Sequence, residues 1–160
     1  KTEQLLAEIR NKVPEIAIRT TLIAGHPGET EEMFEEMYDF VKCQRFDRLG
    51  VFQYSHEDDT HSYQMNDDIP AEEKQERVDI IMELQQGISE ELNQKKVGKT
   101  FKVLFDRKES GYFIGRTQFD SPEVDNEVLV SADEYVRLGD FADVKITSAA
   151  EFDLYGTLVK

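Results

Sequence analysis

The spacing of apolar residues changes at Val97-Gly98, and that change most limits the folds open to this chain. Before it, apolar positions recur every three or four residues in three segments, the period of amphipathic helices. After it they alternate in short runs separated by Gly, Asp, Asn, Ser and Pro, the period of half-buried strands. Two architectures therefore lie in tandem, with a boundary near residue 98.

Upstream, Leu5, Leu6, Ile9 and Val13 mark a helix that closes at Pro14. Residues 16–24 are short, β-branched and end at Gly25, which predicts a strand buried on both faces in its second half. The turn His26-Pro27-Gly28-Glu29 leads to a helix capped by Thr30, with Met33, Phe34, Met37, Phe40 and Val41 on one stripe. A second strand is expected over residues 48–54. Helix, strand, helix, strand with short joints reads as a parallel β/α arrangement. Two strands do not complete a sheet that needs both faces covered, so this is an incomplete α/β unit. Residues 55–70 form a polar, irregular loop of the length often used for function. A long helix then runs from Ala71 to about Lys96, with Val78, Ile81, Leu84, Ile88 and Leu92 as its stripe.

Downstream, strands are expected at 101–105, 112–115, 127–130, 143–147 and 154–159. Five short strands at this spacing predict a small antiparallel barrel of the OB type.

Charge removes several functions. The chain holds 34 acidic and 19 basic residues, a net charge of −15. Residues 99–160 carry 8 basic and 12 acidic side chains, net −4, so neither half offers the clustered Lys and Arg that track nucleic-acid phosphates. Docking on anionic lipid is disfavoured for the same reason. No run reaches the roughly 18 apolar residues of a membrane span, and no signal peptide is visible. The single cysteine, Cys43, supports neither a disulfide framework nor an all-cysteine metal site. His56 and His61 with Glu57, Asp58 and Asp59 lack the ordered spacing of a calcium or zinc site and read as solvated loop. Phe113, Phe119, Tyr135 and Tyr155 are expected in the core, since no Lys or Arg is interleaved to make them base-stacking platforms. The chain opens on Lys1 within a helical pattern and reads as a piece of something longer, and as cytoplasmic.

The segment 19–30 places a strand end, two glycines and a helix N-terminus together, where β/α folds put their sites. A plain βα turn would use the same glycines. A phosphate site is disfavoured, because Glu29, Glu31 and Glu32 would repel the anion that the helix dipole attracts.

Arg19-Thr20-Thr21-x-Ile23-x-Gly25-x-Pro27-Gly28-Glu29-Thr30-Glu31-Glu32 resembles the fifth-strand segment of radical S-adenosylmethionine methylthiotransferases. Phe46 to Ser55 resembles the sixth strand of that family, and Ile69-Pro70 with Lys74, Arg77, Leu84, Gln85-Gln86 and Ile88-Ser89 resembles its linking helix. Residues 114–117, 120–125 and 151–156 resemble the TRAM domain of the branch that methylthiolates an aspartate of a small-subunit ribosomal protein. The resemblance implies three parts. Residues 1–70 would be the last strands and helices of a partial radical S-adenosylmethionine β/α barrel, 71–97 a linking helix, and 98–160 the five-stranded antiparallel OB-like TRAM barrel.

The resemblance further implies a parent enzyme that uses S-adenosylmethionine and two [4Fe–4S] clusters, whose cysteines are not in this sequence; the chain alone is expected to be inactive. By position, Arg19, Ile23, Gly25 and His26 would border the S-adenosylmethionine, His26 standing where relatives have an aromatic such as Phe. Tyr54, Ser55 and Thr60 would line the mouth where the target aspartate enters. Arg116, Asp120, Glu123 and Asp125 would meet the ribosomal protein. The acidity of 99–160 favours that basic protein over tRNA, the substrate of the alternative branch. Exposed sheet edges and apolar stripes leave room for a homo-oligomer.

Overall fold

The computed structural model describes residues 1–122 and 124–159. These form two compact units, 1–88 and 89–160.

In the first unit, α1 (Thr2–Lys12) is followed by β1 (Arg19–Ala24), α2 (Glu31–Gln44) and β2 (Arg48–Gln53). β1 and β2 pair in parallel, Arg19 opposite Arg48 through Ala24 opposite Gln53. Thr30 caps α2, its hydroxyl accepting the Met33 N–H at 3.3 Å. The helix ends on Arg45 in a left-handed conformation (φ 50°) that returns the Arg45 N–H to the Val41 carbonyl. Ala24, Phe34, Val41, Phe46, Leu49 and Val51 are buried here.

The expectation that the second half of β1 is buried on both faces does not hold. Arg19, Thr21 and Ile23 are exposed, and only Ala24 is fully buried. Ile23 lies directly opposite Phe52, and both are more than half exposed (54% and 63%). Helices cover one face of this two-stranded sheet, while an apolar pair sits open on the other.

The loop after β2 holds one 3-10 turn, His61–Gln64, capped by Thr60. α3 (Ala71–Gln94) follows and runs from the first unit into the second. Its buried line is Lys74, Arg77, Ile81, Gln85, Ile88, Ser89 and Asn93. Val78, Leu84 and Leu92, expected at the centre of its stripe, are only half-buried at the flanks. The helix is rotated because its polar residues satisfy backbone carbonyls at the ends of other elements. Gln85 donates to Phe46 O at 2.9 Å. Within the second unit, Ser89 donates to Glu151 O at 2.7 Å, and Asn93 to Ala150 O and Glu151 O at 3.1 Å each. Those bonds place the last turns of α3 in the second unit, upstream of the boundary read at residue 98.

The second unit is a closed barrel of β3 (Thr100–Glu109), β4 (Tyr112–Arg116), β5 (Glu127–Ser131), β6 (Phe141–Ala149) and β7 (Asp153–Leu158), ordered β3-β4-β5-β7-β6. β5 and β7 run parallel, so the barrel is mixed and not wholly antiparallel as expected. The reason is one of parity: five strands closed in a ring cannot alternate in direction at every pairing. β3 reaches ten residues because it bonds β4 on one side and β6 on the other, with a bulge between Phe105 and Arg107. Alternate residues point inward: Val103, Phe105, Phe113, Val128, Val130, Val144, Ile146 and Leu154 pack with Val136 into one core. A Cβ on Gly115 would come within 2.4 Å of the Leu104 carbonyl oxygen, so this position requires glycine for the strands to approach. Of the four aromatics expected inside, Phe113 is buried, Phe119 and Tyr155 are half-buried, and Tyr135 is 82% exposed. Tyr135 lies in the loop between β5 and β6, with its ring centre 6.4 Å from that of Phe113 in an edge-to-face arrangement.

Candidate functional site

Polar side chains converge at the carboxyl ends of β1 and β2, where a parallel sheet exposes its loop ends. Gly25 follows β1 with a positive φ of 75°, which favours glycine. Its N–H donates to Glu29 Oε1 at 3.0 Å, and Arg77 Nη1 donates to the same oxygen at 2.6 Å. Arg77 also donates to Glu73 at 2.5 Å, lies over the Phe34 ring at 5.4 Å, and is only 4% exposed. Glu29 is thus the keystone of the turn: one carboxylate orders the strand end and neutralises a buried guanidinium.

Lys74 closes the other side. Its stem fills the space beside Gly25, where a Cβ would meet Lys74 Cγ at 2.3 Å. Its ammonium donates to both oxygens of Asp67, at 2.6 and 2.7 Å, and stands 5.2 Å from the Tyr54 ring centre. Asp68 Oδ1 accepts the Gly28 N–H at 3.2 Å. Asp67 and Asp68 tie the loop of residues 55–70 to the β1–α2 turn and to α3.

The predicted residues fall into separate groups. His26 Nε2 lies 2.8 Å from Ser62 Oγ, with its ring 5.2 Å from that of Tyr54, so His26 and Tyr54 meet at the strand ends. Tyr54 continues to His56, and His56 to Tyr63 with ring centres 4.7 Å apart. Ser55 donates to Glu57 at 2.5 Å, and Thr60 accepts from Tyr63 N–H and donates to Glu57 O, so both order the loop. Arg19 lies at the opposite end of β1, six residues or about 20 Å of extended chain from Gly25. It shares the open sheet face with Ile23 and not the turn with His26. Among the described residues, no three His, Cys, Asp or Glu side chains converge as metal ligands, and Cys43 is an exposed thiol. No helix among them is long and apolar enough to cross a membrane.

On the barrel, Arg116 Nε donates to Asp106 at 3.0 Å. Asp120 is buried at 7% exposure and accepts from the Thr117 hydroxyl at 2.5 Å and its N–H at 3.3 Å, so its carboxylate holds its own loop. Asp125 accepts the Ser121 N–H at 2.7 Å. Glu123, the remaining predicted partner residue, lies outside the described residues. Lys74 and Arg77, absent from the candidate residues, complete this site. Their signal was present: two cations on the same helical line as Ile81 and Ile88 must be buried, and buried cations demand carboxylates.

A β/α unit with a polar constellation at its strand ends, followed along the chain by a closed five-stranded barrel, defines the class: an α/β unit and then a TRAM domain, whose family matches residues 97–159. The whole chain is 69% identical to the ribosomal protein uS12 methylthiotransferase RimO of Cytophaga hutchinsonii, of which the match takes in 37%. It is 60% identical to the protein of that name from Christiangramia forsetii (98% of the chain, 35% of the relative) and 49% identical to that of Chlorobaculum tepidum (98% and 36%). The chain spans little more than a third of the length of these curated relatives. Over that third it is similar to these RimO proteins, and within it residues 97–159 match the TRAM domain family.

Proposed function

We propose that the chain is part of an enzyme that methylthiolates the β-carbon of an aspartate in a small-subunit ribosomal protein, as the printed names of its relatives describe for uS12. The observation that carries this reading is identity across both units at once, 69% over the whole chain and not in the TRAM domain alone.

In this reading the first unit supplies part of the wall around S-adenosylmethionine, which would provide the methyl group and, with two [4Fe–4S] clusters, the radical chemistry. The residues here do not fit a cluster: a lone exposed thiol has no companions, so its ligands belong to other parts of the enzyme. They do fit one edge of the nucleoside. Ile23 and Phe52 form an exposed apolar pair beside Gly50, whose missing side chain leaves the Phe52 ring uncovered there. Arg19 on the same face would meet a carboxylate. Gly25 and His26 would act from the strand end, where Glu29, Lys74 and Arg77 fix the turn. Tyr54, Ser55 and Thr60 would flank the entry of the target aspartate. The barrel, net −4, would hold the basic ribosomal protein through Arg116 and the 120–127 loop. Such a substrate implies a cytoplasmic site of action.

A chimera tests the reading. The corresponding third of the Cytophaga hutchinsonii relative is replaced by this chain, and the aspartate of its ribosomal protein is examined by mass spectrometry after reaction. Retained methylthiolation is expected; loss of modification by a folded chimera containing its clusters would refute the assignment.

A further inference from the structure

A cavity of about 270 Å³ opens on the barrel among Asp106, Arg107, Arg116, Asp125, Asn126 and Glu127. Its carboxylates are already engaged. Glu127 takes both Nη groups of Arg107, at 2.7 and 2.9 Å, while Asp106 takes Arg116 Nε and Asp125 takes the Ser121 N–H. What remains over is a set of donors. Asn126 is 4% exposed and lines the cavity, yet its Nδ2 has no hydrogen-bond partner among the described residues. A buried amide left this way is uncommon and calls for an acceptor. Arg116 bonds through Nε, which leaves its two Nη groups uncommitted among the described residues.

The field around these donors is negative. Three carboxylates face two guanidinium groups at the cavity, in a chain of net charge −15. A phosphate or carboxylate would satisfy the donors but would meet that field, whereas a neutral carbonyl beside a cation satisfies both conditions. Polypeptide main chain next to Lys or Arg has this combination; nucleic acid does not.

We infer that this cavity binds an extended peptide segment bearing Lys or Arg. Main-chain carbonyls would accept from Asn126 Nδ2 and Arg116 Nη, and the cationic side chain would lie against Asp125. The inference deepens the proposed function and rests on its reading of the partner as a basic protein.

The test uses the ¹⁵N-labelled chain, observed by NMR at the Asn126 side-chain amide and Arg116 Nε. Three probes are titrated: a capped Gly-Lys-Gly-Lys peptide, its Gly-Glu-Gly-Glu counterpart, and a uridine tetranucleotide. Both signals should shift with the lysine peptide alone. Asn126→Leu and Arg116→Ala should each weaken lysine-peptide binding about tenfold. Asn126→Leu should leave the thermal midpoint unchanged or raised, since it removes an orphaned donor; a purely structural Asn126 would not combine that with lost binding. Unmoved signals, shifts with the glutamate or uridine probe, or variants that bind like the parent would overturn the inference. The intact ribosomal protein separates the two readings. If it binds the parent and both variants alike, the cavity falls and the proposed function stands. If it fails to bind while the lysine peptide still moves both signals, the cavity stands and the proposed partner falls.

Discussion

The first unit and the barrel meet the same requirement, satisfying main-chain hydrogen bonds around an apolar interior, in opposite ways. The barrel closes its sheet, so among its described strands every one has two neighbours. The first unit has a sheet of two parallel strands with one face covered and Ile23 and Phe52 open on the other. What it lacks in closure it replaces with charge: Glu29 with Arg77, and Asp67 with Lys74, lock the strand ends to α3. Closure therefore makes the barrel depend on close backbone approach and apolar packing, while the first unit depends on buried ion pairs. Each unit should fail by its own mechanism.

The largest effect is expected at Gly115. Substitution by Ala places a methyl against the Leu104 carbonyl and should cost about 3 kcal/mol or more, read as an earlier loss of amide protection in β3 and β4 with the first unit unchanged. Next is Arg77→Met, which strands the Glu29 carboxylate with only the Gly25 N–H. A cost of about 3 kcal/mol or slightly less, confined to the first unit, is expected, with partial recovery in the double variant carrying Glu29→Gln; equal losses in both units would break the comparison. Asn93→Ala should cost about 1–2 kcal/mol in the barrel, because the Ala150 carbonyl of the β6–β7 turn loses its Asn93 donor and the Glu151 carbonyl keeps only Ser89; hydrogen exchange at residues 149–153 would report it.

The smallest effect depends on pH. Burial first, and then the charge of Glu127 opposite it, hold the Asp153 carboxyl above its ordinary range. A raised pKa means that the folded chain binds this proton more tightly than the unfolded chain. The associated stability is present in acid and is lost as pH rises through the raised value. Asp153→Asn should therefore stabilise the barrel slightly at neutral pH, and its advantage should vanish below about pH 4. A constant difference in thermal midpoint across that range would contradict this.

Much of this contrast was legible in the residues themselves. The change of period at Gly98 separates helical from alternating segments, Thr30 announces the start of α2, and five alternating runs become five strands. The parallel β5–β7 pair was not read, although ring parity alone requires it once five strands close. The polar line of α3 was missed because apolar periodicity weighs Val78 and Leu84 above Lys74, Arg77, Gln85 and Asn93. Those four residues bury by bonding to carbonyls and carboxylates contributed from elsewhere in the chain, and no local pattern displays such partners. Tyr135 failed for a related reason: alternation describes strands, and this residue lies in a loop. For the candidate site, the turn 25–29 was located correctly as a strand end beside a helix start. Its occupancy by Lys74, 49 residues away, depends on a helix rotation that spacing did not reveal.

Under the proposed function, the acidic TRAM barrel would serve a basic protein and not RNA. The direct measurement titrates the chain against labelled small-subunit ribosomal protein and labelled tRNA, each at low and moderate salt. Binding of the ribosomal protein that weakens with salt, with no measurable tRNA binding at either salt, is the predicted result. Salt-sensitive binding of tRNA, with no affinity for the ribosomal protein, would contradict it.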